Sequence, residues 1–155
     1  MLSQGWYAHG LPFYELIPDD FLCLNSTNVW ETCDKEQYCF LPPTDRKIDY
    51  TKNLHNWVEK LDLACTSPAN VGALGSSFFL GWAVSLAWLP RLADIHGRST
   101  IFKTAMVATL ILLTMVYLTF NIYVMIGINF LLGTLTSARL SIGYVYMQEF
   151  VSTEY

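Results

Sequence analysis

Asp94, Gly97 and Arg98 stand within Leu92-Ala93-Asp94-Ile95-His96-Gly97-Arg98, an acid and a base one helical turn apart around a glycine. Charges at that spacing pair with each other or reach the ends of neighbouring helices. The chemistry they offer is that of a conformational latch; a solvated turn whose arginine only fixes orientation is the plainer alternative. Gly97 adopts left-handed backbone angles at little cost, which suits a chain reversal. Glu149 follows the last apolar stretch and is expected to join Asp94 and Arg98 in a charge network, a partnerless interfacial acid being the simpler reading. Arg139 lies inside that stretch, where a lone arginine costs about 2.5 to 3.5 kcal/mol on the insertion scale. It is expected to face a cavity or a partner, with snorkelling towards headgroups as the alternative. Arg139 and Asn129 are the candidates for lining a solute path, although Asn129 also suits simple helix packing. His96, in an exposed turn, is read as incidental. No nucleophile triad, phosphate loop or metal motif is evident, so no enzymatic activity, cofactor or metal is expected.

The four cysteines, Cys23, Cys33, Cys39 and Cys65, all precede the first long apolar run. An even number in one polar segment points to two disulfides in an oxidising compartment, with three pairings open. Zinc is the weaker reading, because no Cys-x-x-Cys pair is present and His55 has no histidine at ligand spacing. Free thiols are the other alternative. Asn25-Ser26-Thr27 is an N-glycosylation triplet and agrees with an exterior segment.

The elements that position these residues follow from hydropathy. Of 155 residues 53% are hydrophobic and only 14% charged, against about 25% charged in a soluble domain. Residues 71–92, 101–120 and 122–146 are each long and apolar enough to cross a bilayer. Arg91, Arg98 and Lys103 crowd the first connection, which places the Asp94 turn in the cytoplasm. Crossing parity then puts the cysteine segment and the Asn121 turn outside, and the short tail after residue 146 inside. Most of the net charge of −4 belongs to the polar segment, and no basic patch suggests nucleic acid. Residues 1–16, rich in aromatics, read as an interfacial segment or a helix end. Residues 17–70 read as an exterior loop, its prolines opposing long regular elements, with one short helix over 52–63 that presents Leu54, Trp57, Val58 and Leu61. Ala73, Ser77, Gly81 and Ser85, and again Gly133, Ser137 and Ser141, recur every four residues and predict close helix packing.

The turn resembles the loop after the second helix of the major facilitator superfamily. The order of features is similar to its organic cation, anion and zwitterion branch, through Trp57-Val58-Glu59-Lys60-Leu61-Asp62-Leu63-Ala64-Cys65 before the first span and Ile142-Gly143-Tyr144-Val145-Tyr146-Met147-Gln148-Glu149-Phe150-Val151 at the end of the last. The resemblance implies that the spans are helices 2 to 4, and that residues 5–16 are the outer end of helix 1. The expected fold is thus an all-α membrane protein, a partial major facilitator helical bundle with a cysteine-containing exterior loop. The implied function is transport of small organic solutes or ions by rocking of two bundles, with Asp94, Gly97, Arg98 and Glu149 as the gating motif. The family has two six-helix halves, so this chain is expected to be an incomplete piece. Its expected partners are the lipid membrane, a small organic solute in the complete transporter, and the missing transporter helices or another membrane subunit. A non-transporting accessory subunit or a transporter remnant is the alternative. The turn departs from the family pattern at Pro90, Ile95 and Ser99, where glycine, a basic residue and a basic residue are usual. Asn129 stands for a family arginine, and Arg139 for a small residue.

Overall fold

The computed structural model describes residues 2–25, 29–51 and 53–151, in two compact units. One comprises residues 10–71. The other comprises the described residues of 1–9 and 72–155. The first helix, α1 (Leu2–Tyr14), and the long helix α4 (Pro68–His96) have residues in both units.

The smaller unit is built on a three-stranded antiparallel sheet. Strand β1 (Phe21–Leu24) lies between β2 (Trp30–Cys33) and β3 (Arg46–Ile48), with Phe21 opposite both Cys33 and Ile48. Alternate side chains of a strand face opposite ways, and Phe21 and Cys23 are buried while Leu22 and Leu24 are half-buried. Helix α2 (Lys35–Phe40) is capped by the Asp34 carboxylate and buries Tyr38, whose ring lies 4.5 Å from that of Phe21. Disulfides join Cys23 to Cys33 and Cys39 to Cys65, which selects one of the three pairings. The sheet corrects the all-α expectation for a chain that is otherwise mostly helical, and its strands are short, as the prolines' opposition to long regular elements allows. Strands of three or four residues are too short to announce a period of two, and the prolines all lie outside them.

The predicted helix over 52–63 is also corrected. Only α3 (Trp57–Lys60) forms, with the Asn56 side chain accepting from the Val58 amide, followed by a 3-10 turn at Leu63–Cys65. Asp62 breaks the run with a φ of 49°, a left-handed conformation that a helix does not continue through. Val58 is fully buried, whereas Leu54 precedes the helix and is exposed. Lys52 lies outside the described residues.

The larger unit contains α4, α5 (Arg98–Leu118) and α6 (Ile122–Ser137), continued by a π-helical turn (Ala138–Ile142) and α7 (Gly143–Val151). Three stretches, Pro68–His96, Arg98–Leu118 and Ile122–Val145, are long and apolar enough to cross a membrane. Gly97, at φ 86°, is the sole residue between α4 and α5. At the opposite reversal Asn121 caps α6 by accepting from the Tyr123 amide at 2.9 Å. Buried residues on α5 form one narrow stripe, Ala105, Thr109 and Val116, and most of its other side chains are exposed or half-buried.

The small-residue stripes on α4 and α6 meet each other. A Cβ on Gly81 would overlap the Phe130 carbonyl, and one on Gly133 would overlap the Phe78 carbonyl. Without glycine at both positions the backbones could not approach so closely, and in lipid such packing drives association. Ser77 and Ser85 satisfy their hydroxyls on the Leu74 and Trp82 carbonyls of their own helix, at 2.7 and 2.8 Å. Thr134 reaches across to the Gly81 carbonyl at 3.4 Å.

Candidate site at the Asp94 turn

The Gly97 end of the larger unit rests on a small apolar cluster. Leu89 and Ala93 of α4, Ala105 of α5, and Ala138 and Ile142 of the π turn are buried together, flanked by Ile101, Phe102 and Leu135. Above this cluster opens a pocket of about 170 Å³, lined by Pro90, Ala93, Asp94, Arg98, Ser141, Ile142 and Val145. Arg98 donates from Nη2 to Asp94 Oδ1 at 3.3 Å, so the acid and base pair across the glycine. The Asp94 side chain is 63% exposed, and such a pair is worth about 0 to 1 kcal/mol. The pair bridges the Gly97 link between α4 and α5, beside the π turn. Glu149, the expected third member, lies on α7 with its side chain outside the described residues. His96 bonds within its own helix, Nδ1 donating to the Leu92 carbonyl at 3.2 Å.

The two residues expected on a solute path are not brought together. Ten positions apart on nearly continuous helix, Asn129 and Arg139 are separated by about 15 Å along the axis at 1.5 Å per residue. Asn129 is wholly buried and its Oδ1 accepts from the Tyr7 hydroxyl, while the Tyr7 ring packs 5.6 Å from that of Phe78. This bond joins α1 to α6. Arg139 is half-buried in the π turn. Extrapolating the Gly133 and Ser137 stripe by straight α-helix geometry fails there, because Ile142 is buried in the place expected for Ser141. Ser141 instead lines the pocket beside Asp94 and Arg98. Sequence reasoning missed Tyr7, Pro90 and Ser141 as participants. The one available signal for the π turn was a charged residue inside an otherwise apolar span.

In the smaller unit the functional side chains are structural or surface groups. Asn25 is exposed and donates from Nδ2 to Glu31 at 3.2 Å, while Ser26 and Thr27 of its triplet lie outside the described residues. Arg46 donates to Asp62 at 3.0 Å and to Cys65 Sγ at 3.4 Å, and its guanidinium lies 5.0 Å from the Tyr38 ring centre. His55 Nδ1 is 2.7 Å from Glu59, with Tyr50 stacked on the imidazole at 4.0 Å. Burial raises the Glu59 carboxyl, but hydrogen bonds from Tyr50 and His55 outweigh it and hold the group below its usual range. Burial, then the bond to Glu59, pushes the Tyr50 hydroxyl well above its ordinary value. Among the described residues no three metal-ligating side chains converge.

Comparison with protein-family models, with curated proteins and with solved structures finds no match to the chain.

Proposed function

We propose that this chain is a multi-pass membrane component of a major facilitator type carrier that moves small organic solutes or ions. The observation that carries the reading is the turn: an Asp94–Arg98 pair, pivoting on a one-residue glycine link, roofs a pocket against the base of the last span. A charge pair that links α4 to α5 and shares a pocket with Ser141, Ile142 and Val145 is placed to favour one arrangement of the helices over another, as a gate requires. The Cys23–Cys33 and Cys39–Cys65 bridges support an exterior position for the smaller unit, since such bonds persist in oxidising surroundings. The three spans supply one wall of a pathway. The outward surface of α5 is where further helices, of the same or another polypeptide, would pack.

That same exposed face favours a second reading, a membrane accessory component that does not itself transport. The test has two arms. Protease protection with tags at the Gly97 turn and in the cysteine unit must place them on opposite sides of the membrane. Uptake of labelled organic cations and anions by cells expressing the gene must exceed background and fall when Asp94→Asn is introduced. Tags on the same side would remove the membrane topology, and absent uptake with correct topology would favour the accessory reading.

A further inference from the structure

The last span changes its winding at Ala138–Ile142, where five residues form a π-helix between two α-helical stretches. Such single turns hold one residue more than the α-helix around them and are frequent at functional sites. Here the extra residue decides which side chains face the other helices. Four-residue steps from Gly133 through Ser137 lead to Ser141, yet Ile142 occupies the core, 4% exposed. Every residue beyond the turn is displaced by one position from the face it would hold in continuous α-helix. Ser141 and Val145 therefore line the pocket beneath Asp94 and Arg98, while Tyr144 is exposed.

We propose that this π turn is a register switch: in a second state it relaxes to α-helix, rotating α7 by about 100°, one residue's share of a helical turn. Each residue then takes the angular place now held by its successor. Ser141 enters the core and completes the stripe of small residues with Gly133 and Ser137. Leu140 and Tyr144 replace the smaller Ser141 and Val145 in the pocket, and the cavity of about 170 Å³ is filled. Ile142 moves to the place of Gly143, where a Cβ would now stand 3.1 Å from the Phe102 ring. That contact is with the tip of one half-buried side chain, which a rotamer change relieves. The pocket and the small residues around it thus make room for both registers, and the Asp94–Arg98 pair at its edge is positioned to feel the exchange.

As the moving part of a gate the switch rests on the carrier reading, but its test does not require transport. Nitroxides at Val107→Cys and Met147→Cys, both exposed positions, report the rotation of α7 against α5 in the full chain in lipid nanodiscs. The intact chain should show two distance populations, the minor one about a tenth of the molecules. Deleting Leu140 removes the extra residue while keeping α7 on its present faces, and should leave the major distance alone. Ser141→Leu, which fills the pocket in the present register, should do the same if the deletion does not fold. A single distance in the intact chain, or two that neither variant collapses, overturns the switch. Two populations, with no uptake by cells expressing the complete gene, would sustain the switch and remove the carrier reading.

Discussion

The close backbone approach of α4 and α6 at Gly81 and Gly133 gives the sharpest test of how the larger unit holds together. Replacing Gly133 by alanine puts a methyl group into the Phe78 carbonyl, and ordinary van der Waals contact begins only near 3.4 Å. Both colliding groups belong to backbones, so α4 and α6 must separate by roughly 1 Å or more. Overpacking of this kind costs about 1 to 3 kcal/mol, which lowers the folded-to-unfolded ratio by about 5-fold to more than 100-fold. Gly81→Ala should cost a similar amount. Because one separation relieves both clashes, the double variant should cost less than the two singles together, as neighbouring sites commonly do. Gly127→Ala is the control, since it sits on the same helix with nothing within 4 Å of the new methyl. Titrating the purified chains in mixed micelles with a denaturing detergent, and following helix loss by circular dichroism, reads the order of stabilities. If Gly133→Ala unfolds together with Gly127→Ala, the backbone approach does not stabilise the unit and the account of the small-residue stripes is wrong.

Other outcomes follow from the same geometry. Removing the Cys39–Cys65 bridge, which closes 26 residues, should destabilise the smaller unit more than removing Cys23–Cys33, which closes 10. Chain entropy gives about 3.5 against about 2.7 kcal/mol, and thermal melts of paired Cys→Ser variants would show the order. Glu59 titrates lower in the folded chain than in the unfolded one. Its contribution is therefore complete above the ordinary carboxylate value and disappears as pH falls through the folded one. Melting temperature measured below pH about 5 should fall less steeply in Glu59→Gln. Tyr50 is shifted upward, so stability it contributes is full below its ordinary value and lost as pH rises beyond it; Tyr50→Phe should flatten the alkaline limb of the same profile. At the turn, Gly97→Ala must force a side chain into φ 86° and ψ 130°, outside the left-handed helical well, and should cost about 1 to 3 kcal/mol. Asp94→Asn should change stability by less than about 1 kcal/mol, a contrast that detergent titration would detect.

What was legible in the sequence tracks the length over which a physical pattern repeats. Twenty apolar residues in a row leave little choice in lipid, because every backbone amide must bond within its own segment, and the three long helices lie where hydropathy puts them. Gly81, Ser85, Gly133 and Ser137 also announced their packing, for a four-residue period of small side chains persists over several turns. Strands β1 to β3 were hidden because each has room for no more than two residues on a face, and their pairing depends on contacts distant in the chain. The end of α3 turns on one residue, Asp62, whose left-handed backbone has no signature in its side chain. At the turn, the pairing of Asp94 with Arg98 could be read from their spacing. The pocket could not, because it depends on a single added residue in the π turn that shifts Ser141 and Ile142 out of α-helical phase. Tyr7 escaped notice for a similar reason: an aromatic near the start of a chain looks interfacial until the partner, Asn129, is seen beside it.

Gly97 has a mechanical consequence beyond its dihedral angle. Helices of 29 and 21 residues are joined by it alone, so the joint contains no slack to absorb a displacement. A tilt of one rod arrives at the base of the other as torque about that residue, and the far ends, tens of ångströms away, move farthest. A nudge applied beside Asp94 is thereby amplified with distance, as at the short arm of a lever.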